Sequence, residues 1–370
     1  MQKVLFLVST LKQSGTTIQL YYIAKYITPG KYDLYAITLS PEEEGSMLDR
    51  FQKVGVKVQS LNLTRIGGIL RGKSKLQKLV DQIKPDVIHT QGIRSDAYSV
   101  MLAKKYHVVS SMQNYPFYDY PMLYGHIKGS IMARNHLSII RKRKNFIACS
   151  KSVADNFKTD HNINLEVIQN GVDTEVFYPL EVADKLRLRD KLSLPKDKKI
   201  FISVGALIPR KDMYTVISGF KKSNASNSYL LIAGNGNAFQ QLQALSSENN
   251  NIKLLGNVAN IPAYMQASDY FISASWAEGL PNTVLEAMAC KLPVILSSIK
   301  PHQEIFESYS DYPYFFNLRD TDSLASKIYS ILINDNDLGQ KMLTIIENNF
   351  SAKLMSEKYQ KLYEQLSKLN

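Results

Sequence analysis

Two glutamates flank a tight turn in the second half of the sequence. Glu278 precedes the turn Gly279-Leu280-Pro281-Asn282-Thr283, and Glu286 follows it inside a predicted helix that begins near Pro281. A helix start offers free N–H groups and a positive dipole end, which suits a diphosphate. Glu286 could then accept hydrogen bonds from ribose hydroxyls. The alternative is that Glu278 only complements the helix dipole and Glu286 is a solvated helix residue.

A second loop with possible phosphate chemistry lies near the start of the chain. It runs from Ser9 to Thr17 after the predicted first strand. Gly15 allows close approach to the backbone, and Ser14 or Thr16 could cap the helix that follows. An ordinary strand-to-helix turn explains the same residues equally well.

The elements that must position these loops alternate between strand and helix. Short apolar or β-branched runs predict strands, and longer helical patterns separate them, so each half is expected to be a doubly wound parallel sheet. The predicted strands of the first half are Val4–Val8, Leu34–Leu39, Val87–His89, Val108–Ser110, Phe146–Cys149 and Leu165–Ile168. Those of the second half begin after Lys199 and continue at Tyr229–Ala233, Ile252–Leu255, Tyr270–Ile272, Val294–Leu296 and Tyr314–Phe316.

The chain length of 370 residues predicts two domains. We expect one over residues 1–175 and one over 176–350, with a charge-dense linker at 180–199 and a final helix in 351–370 that closes the second domain or folds back on the first. No apolar run is long enough for a membrane span. Two cysteines without metal-ligand spacing fit a reducing cytoplasm.

Positive charge is concentrated in the first half of the chain. The net charge is +12, and residues 1–180 hold 24 of the 45 Lys and Arg but only 14 of the 33 Asp and Glu. Such asymmetry suggests an anionic partner: a membrane surface, a phosphate-bearing acceptor or nucleic acid. No recognised nucleic-acid motif supports the last of these.

The stretch 122–145 combines an apolar stripe with cations. Leu123, Ile127, Ile131 and Leu137 recur at helical spacing, and aromatic residues precede them. This composition is typical of a helix on an anionic membrane, although a surface helix packed on the sheet explains it about equally well. The cations proposed for membrane or acceptor contact are Lys128, Arg134, Arg141, Lys142, Arg143 and Lys144.

Taken together, the C-terminal motifs resemble those of the family-4 retaining glycosyltransferases of the GT-B fold. The resemblance rests on Glu278 and Glu286 with seven residues between them, on the strand that follows Glu286-Ala287-Met288-Ala289, and on Asn170-Gly171-Val172-Asp173, Gly234-Asn-Gly236 and Leu255-Gly256-Asn257-Val258. It covers nearly the whole chain. It implies two Rossmann-like domains that face a central cleft in which the donor is held.

Residue by residue, the resemblance implies that Glu278 lies near the donor sugar hydroxyls, Glu286 on the ribose and Lys211 on the phosphates. Without the pattern, Lys211 would be an exposed loop cation. The wider set expected to bind the donor is Ser14, Gly15, Gly205, Arg210, Gly279, Leu280, Pro281, Asn282, Thr283, Glu286, Asn257 and Val258.

Two positions depart from the family pattern. Ala206 stands where the family has an arginine, and Arg210 could replace it only if the loop turns it inward, although adjacent loop residues rarely face the same way. Gln113 stands where the family usually has a histidine near the reacting sugar. Glutamine cannot exchange protons, but its amide can hold a sugar hydroxyl. His89, at a predicted strand end, is either a ligand-facing or a structural histidine.

The resemblance implies a retaining transfer of a hexosyl or N-acetylhexosaminyl group from a nucleotide-diphosphate sugar, with UDP favoured, to a glycan or lipid-linked acceptor in cell-surface polysaccharide synthesis. No dedicated metal or cofactor is expected, because Lys211 and the helix start, with Arg210 if the loop turns it inward, would stabilise the leaving diphosphate. The expected location is the cytoplasm, at the inner face of the membrane. The alternatives are a nucleotide-sugar epimerase or hydrolase, and a non-catalytic subunit that binds the donor.

Overall fold

The computed structural model describes residues 1–63, 67–334 and 337–368. The chain divides into two compact units. Unit 1 comprises Met1–Gly171 and Ala352–Asn370, and unit 2 comprises Val172–Ser351. The chain therefore leaves unit 1 once and returns to it. Both units are α/β, as the sequence predicts.

Unit 1 is built on a seven-stranded parallel sheet in the order β3-β2-β1-β4-β5-β6-β7. Its central strands are apolar on both faces because helices cover both sides. Its elements are β1 (Gln2–Val8), α1 (Gly15–Lys25), β2 (Tyr32–Thr38), α2 (Leu48–Lys53), β3 (Lys57–Ser60), α3 (Gly67–Ile83), β4 (Val87–Gln91), α4 (Ile93–Leu102), β5 (His107–Met112), α5 (Pro116–Tyr124), α6 (His126–Arg141), β6 (Phe146–Ala148), α7 (Lys151–His161) and β7 (Glu166–Val167).

Unit 2 is built on a six-stranded parallel sheet in the order β10-β9-β8-β11-β12-β13. Its elements are α8 (Val182–Lys191), β8 (Lys199–Val204), α9 (Met213–Lys222), β9 (Ser228–Ala233), α10 (Phe239–Ser246), β10 (Ile252–Gly256), α11 (Ile261–Ala267), β11 (Tyr270–Ser273), α12 (Asn282–Ala289), β12 (Val294–Ser297), α13 (Lys300–Gln303), β13 (Phe315–Phe316), α14 (Thr321–Ile333) and α15 (Leu338–Ile345).

The last helix, α16 (Ala352–Ser367), packs on α1 in unit 1. Its Met355, Tyr359 and Tyr363 join the core formed by β1, β2 and α1. Hydrogen bonds connect Gln360 to Thr28 and to the carbonyl oxygen of Tyr26. Leu369, the last residue of the helix predicted at 352–369, lies outside the described residues.

The structure confirms the predicted strands but adds β3. This strand is Lys-Val-Gln-Ser at the edge of the sheet, and three of its four residues are exposed, so no apolar run marks it. The charge-dense stretch interpreted as a linker contains α8, so that interpretation is wrong. Arg189 in α8 is buried, donates to the carbonyl oxygen of Ala267 and pairs with Asp269, so its charge serves packing within unit 2.

Candidate functional site

The loops after β8 and β11 flank the switch point of the sheet in unit 2. Successive strands run outward from β8 to β10 on one side and from β11 to β13 on the other, so β8 and β11 are neighbours. Open parallel sheets bind ligands at the carboxyl ends of their strands beside such a point. Lys211 follows β8 and Glu278 follows β11, so the topology brings these two predicted site residues together.

Glu278 forms the centre of an ion cluster with Arg210 and Lys211. Its carboxylate is 2.8 Å from Arg210 Nη1 and 2.6 Å from Lys211 Nζ. Its side chain is only 8% exposed. Burial alone would raise the pKa of Glu278, but the two cations outweigh it and lower that pKa to about 2. One carboxylate thus faces two cations, which leaves the cluster with a net positive charge.

Adjacent residues Arg210 and Lys211 face the same way because the loop is tightly turned. Pro209–Lys211 form a single 3-10 turn, and Asp212 then adopts the left-handed conformation with φ of +46°. The backbone N–H of Trp276 donates to the carbonyl oxygen of Arg210, and the indole N–H donates to Asp212. The loop therefore turns Arg210 inward, although Ala206 occupies the family's arginine position and is exposed.

Gly205 gives Lys211 the space it occupies. A Cβ atom at Gly205 would lie 3.3 Å from Cε of Lys211. Gly234, at the end of β9, has φ of +149°, and a Cβ there would overlap the carbonyl oxygen of Gly205. The loops after β8 and β9 consequently pack backbone to backbone beneath the lysine.

Glu286 lies in α12, three residues after the turn that ends at Thr283. Burial raises its pKa to about 7, while the charge of Lys211 opposes that rise. Glu286 is half-buried in α12 rather than fully exposed. Within the described part of the chain no hydrogen bond reaches its carboxyl group, so this group retains its hydrogen-bonding capacity.

The remaining predicted donor residues of unit 2 lie at strand ends around the cluster. Pro281 is the N-cap of α12, so Gly279–Thr283 form the start of that helix. The first-turn N–H groups of a helix have no acceptor inside it. Asn257 and Val258 follow β10, and Asn257 is exposed.

A buried polar network supports the loop that carries Glu278. His302 lies 3.4 Å from the hydroxyl of Ser273 and 3.1 Å from that of Ser297. The Ser297 hydroxyl donates to the carbonyl oxygen of Ser275 at 2.6 Å. Burial lowers the pKa of His302 to about 4, so its imidazole is neutral at pH 7. Sequence analysis did not find His302, because its contacts join β11 to the segment after β12.

Unit 1 contains a cavity of about 360 Å³ at the carboxyl ends of its central strands. Its order places β1 and β4 side by side, and the loops after them line the cavity. The lining residues are Val8, Ser9, Thr10, Lys12, Ser14, Thr16, Thr17, Gln91, Gly92, Asp96, Ser111, Met112, Gln113, Asn114, Asp119, Tyr120 and His136. Most of these carry hydroxyl or amide groups, and few are charged.

Two of the predicted site residues of unit 1, Ser14 and Gln113, line this cavity. Ser14 accepts a hydrogen bond from the N–H of Thr17 and caps α1, which Gly15 begins. The side-chain oxygen of Gln113 accepts from the amide of Asn170 at 3.0 Å. This orientation leaves the amide N–H groups of Gln113 as its remaining donors.

The lining includes a buried, hydrogen-bonded carboxylate that the sequence did not reveal. Asp96 is fully buried. Its Oδ1 accepts from Thr90 at 2.5 Å, and its Oδ2 is 2.9 Å from His136 Nε2. His136 Nδ1 lies 2.8 Å from the hydroxyl of Tyr120. These residues come from β4, α4, α5 and α6, so nothing in their spacing along the chain connects them.

His89 has a structural environment. It is fully buried between β1 and α16, stacks on Tyr359 and is 2.7 Å from the hydroxyl of Tyr363. Burial lowers its pKa to about 3. It does not line the cavity, so it serves the docking of the last helix.

The surface of α5 and α6 exposes large apolar side chains. Ile127 is 82% exposed, Leu123 54% and Ile131 53%, whereas Leu137 is buried in the packed face. The exposed cations beside them are Lys128, Arg134, Arg141, Lys142 and Lys144.

Arg143 does not belong to this surface, which corrects the prediction. Its guanidinium donates to Ser110 and to the carbonyl oxygen of Val108, and it stacks on Phe146. Burial lowers its pKa to about 10. It therefore holds β5 against the loop before β6.

The described residues contain neither a metal-binding cluster nor a membrane-spanning helix. No group of three or more His, Cys, Asp and Glu side chains in residues 1–63, 67–334 and 337–368 is arranged to hold a metal ion. No helix in those ranges has both the length and the hydropathy to cross a membrane.

Two family models match successive parts of the sequence. "Glycosyltransferase Family 4" matches residues 13–176, and "Glycosyl transferases group 1" matches residues 184–350. Together they cover most of unit 1 before α16 and nearly all of unit 2.

Individual proteins of known name are similar to the chain. The O-antigen biosynthesis glycosyltransferase WclY of Escherichia coli is 25% identical over 372 aligned residues, 98% of each chain. The UDP-Gal:alpha-D-GlcNAc-diphosphoundecaprenol alpha-1,3-galactosyltransferase of Escherichia coli is 30% identical over 203 residues, 52% of this chain and 50% of that protein. The crystal structure of Anabaena Alr3699/HepE with UDP and glucose matches 100% of both chains with a TM-score of 0.82 at 18% identity.

Proposed function

We propose that this chain, which belongs to the family-4 glycosyltransferases of the GT-B fold, transfers a hexosyl or N-acetylhexosaminyl group from a nucleotide-diphosphate sugar with retention at the anomeric carbon. The favoured donor is a UDP-sugar, and the acceptor is a hydroxyl of a glycan or lipid-linked saccharide in cell-surface polysaccharide synthesis. Relatives named for O-antigen synthesis and for a UDP-Gal donor support this choice.

The observation that carries the proposal is the ion cluster of Glu278, Arg210 and Lys211 beside the start of α12. In the reaction, the bond between the anomeric carbon and the diphosphate oxygen breaks, the oxygen of the acceptor hydroxyl bonds to that carbon, and the hydroxyl proton passes to the departing diphosphate. The leaving diphosphate gains negative charge, which the two cations and the helix start stabilise. Glu278 then turns from the cations towards the sugar hydroxyls, and Glu286 accepts from the ribose.

The first experiment measures thermal stabilisation of the purified protein by UDP-, GDP- and ADP-sugars. A ligand at 100 times its Kd adds about 2.7 kcal/mol of stability. We expect a UDP-sugar to raise Tm, Glu286→Ala to abolish that rise, and Glu248→Ala to keep it, because Glu248 is an exposed glutamate of the same unit. The proposal fails if no nucleotide sugar stabilises the wild type at millimolar concentration.

Product analysis separates transfer from the other donor chemistries. Incubation of a stabilising donor with glycoside acceptors should give a product with the configuration of the donor, read by NMR. An epimerase or hydrolase would consume the donor without any acceptor, and a non-catalytic subunit would bind it without turnover. Since Lys211 and Arg210 supply the positive charge, activity should survive EDTA.

The surface of α5 and α6 fits a peripheral contact with the inner face of the membrane. Its apolar side chains would enter the headgroup region, and the lysines and arginines beside them would attract anionic lipid. We expect cosedimentation with phosphatidylglycerol vesicles and little with phosphatidylcholine vesicles. Ile127→Ser with Ile131→Ser should weaken it, whereas Ile333→Ser, an exposed isoleucine of unit 2, should not. Equal sedimentation of all three proteins would contradict the contact.

A further inference from the structure

The direction of each hydrogen bond around Asp96 can be assigned from the chemistry of its partners. An ionised carboxylate only accepts, so the Thr90 hydroxyl and His136 Nε2 both donate to Asp96. Thr90 has then used its proton, so Ser110 donates to Thr90. Ser110 in turn accepts from Arg143, which can only donate. The direction of each hydrogen bond from Arg143 through Ser110 and Thr90 to Asp96 is thereby assigned.

The other side of the network ends at the cavity. The assigned tautomer of His136 has its proton on Nε2 and a lone pair on Nδ1, which accepts from the Tyr120 hydroxyl at 2.8 Å. Tyr120 has no second proton to donate. Its oxygen therefore presents lone pairs to the cavity that Tyr120 and His136 both line.

The packing of α5 against α6 holds this arrangement in place. A Cβ atom at Gly129 would overlap the backbone of Tyr120, so the glycine allows the two helices to approach closely. The rings of Tyr120 and His136 lie nearly parallel, at 8°. Burial, and secondarily the charge of Asp96, raises the pKa of Tyr120 above its usual range, so the phenol keeps its proton.

We propose that Asp96 and His136 fix Tyr120 as a hydrogen-bond acceptor for one hydroxyl of a neutral sugar bound in the cavity of unit 1, while the amide of Gln113 donates to a second. The inference rests on the proposed function, for which it names the acceptor sugar's contacts. Tyr120 is a specificity residue that requires a hydroxyl donor on its ligand, and Asp96 and His136 are positioning residues that act through it.

A second Tyr–His–Asp group in unit 1 provides a matched control. Tyr115 donates to Asp160 at 2.6 Å and lies 3.0 Å from His161 Nε2. Tyr115 is buried and does not line the cavity. Tyr115→Phe and Tyr120→Phe therefore remove the same phenol hydroxyl from similar partners, but only the second change faces a ligand.

The binding test uses methyl α-glycosides of glucose, galactose and N-acetylglucosamine, with their monodeoxy analogues, followed by saturation-transfer NMR on the full chain. We expect at least one glycoside to bind, Tyr120→Phe to weaken it about tenfold, and Tyr115→Phe to leave it unchanged. One deoxy analogue should lose as much affinity as Tyr120→Phe does, and the two losses should not add. Binding of no glycoside, or additive losses for every analogue, would overturn the proposal.

A ligand-independent measurement reads the network itself. The chain has six histidines, so nitrogen-15 spectra at about pH 8 can be assigned by the loss of one signal in His136→Gln. We expect His136 to carry its proton on Nε2. A proton on Nδ1 would overturn the assigned direction. Thermal stabilisation by the donor, measured on the same samples, tests the proposed function separately. If the protein binds a donor but no glycoside, the proposed function stands and only this inference is refuted.

Discussion

Each unit buries a carboxylate beside its switch point, but Glu278 in unit 2 and Asp96 in unit 1 have different partners. In unit 2, Glu278 contacts the full cations Arg210 and Lys211. In unit 1, Asp96 contacts the hydroxyl of Thr90 and the imidazole of His136. Both groups avoid the cost of an uncompensated buried charge, the first through ion pairs and the second through an ordered set of donors.

The difference teaches which ligand each unit can accept. A carboxylate between two cations can be exchanged for another anion, because the cations remain and prefer a partner of opposite charge. A carboxylate that accepts hydrogen bonds from Thr90 and His136 offers no such exchange. Through His136 it instead fixes Tyr120 as a hydrogen-bond acceptor. Unit 2 is thus suited to phosphate, and unit 1 to neutral hydroxyls.

The largest effect should follow removal of a cation from unit 2. Lys211→Met should lower kcat/KM by about 10²–10³-fold, the usual loss when one group that stabilises a developing anion is removed. Lys222→Met is the control, since this lysine pairs with Asp322 on an exposed surface of the same unit. If Lys211→Met retained wild-type turnover, the ionic description of unit 2 would be wrong.

A comparison of Glu278→Gln with Asp96→Asn tests the two carboxylates directly. The pKa of Glu278 is lowered to about 2, so its ionisation stabilises the fold above the ordinary value of 4.5 and loses that contribution as pH falls towards 2. That shift corresponds to about 3 kcal/mol at pH 7.

Urea unfolding followed by the fluorescence of Trp276, the chain's single tryptophan, reports on unit 2. Glu278→Gln should shift this transition at pH 7 and progressively less below pH 4.5. Asp96→Asn, in unit 1, should leave the Trp276 transition in place. An equal shift by both variants would contradict the separation of the two networks.

A smaller effect concerns the pH dependence of donor binding. The pKa of Glu286 is raised to about 7, so the ionised form, which in the proposed function accepts from ribose hydroxyls, becomes populated as pH rises. Donor affinity should increase up to about tenfold between about pH 6 and about pH 8. The free energy of unfolding should move the opposite way, because the folded state holds this proton between pH 4.5 and 7 when the unfolded chain has lost it.

Glu286→Gln should flatten both pH profiles, which calorimetric titrations of the donor and urea unfolding, each at several pH values, can measure. The same titrations on Glu278→Gln should retain the slope near pH 7. If the pH dependence of donor affinity near pH 7 persisted in Glu286→Gln, another titratable group would be its cause.

The smallest effect should come from Tyr363→Phe in unit 1. This change removes the hydroxyl that meets His89 Nδ1 and should cost about 1 kcal/mol in the unfolding free energy. Tyr329→Phe, an exposed tyrosine of α14, should cost nothing measurable. If Tyr363→Phe lowered the unfolding free energy as much as Glu278→Gln does, the proposed difference between the neutral network of unit 1 and the ion cluster of unit 2 would be wrong.

His89 also makes the stability of unit 1 decrease at acidic pH. Its folded pKa is lowered to about 3, so the stability that neutral His89 contributes is complete above the unfolded value of 6.5 and declines as pH falls from there. A histidine variant that preserves the volume, His89→Gln, should show a shallower decline in unfolding free energy between pH 6.5 and 4.

The sequence predicted the parts of the fold that depend on local pattern. Apolar strands such as β1 and β11 are buried on both faces, so composition alone marks them, whereas the exposed edge strand β3 has no such mark. The turn at Gly279–Thr283 was recognisable because its residues are consecutive in the sequence.

The sequence could not predict contacts that depend on tertiary structure. Asp96, Tyr120 and His136 meet only because α4, α5 and α6 pack together, and Arg143 reads as a surface cation until Ser110 is seen beside it. Arg210 was uncertain for a related reason: its direction depends on the left-handed Asp212 and on Trp276, which lies 66 residues further along the chain.

The return of α16 to unit 1 affects the order in which the chain can fold during synthesis. Unit 2 is a continuous segment, so all of its residues emerge from the ribosome in succession, whereas the core of unit 1 lacks Met355, Tyr359 and Tyr363 until unit 2 has been translated. The half that begins first is therefore completed last. Until then the nascent α1 and β1 expose the apolar surface that α16 covers, so unit 1 is open to aggregation for longer than unit 2 during synthesis.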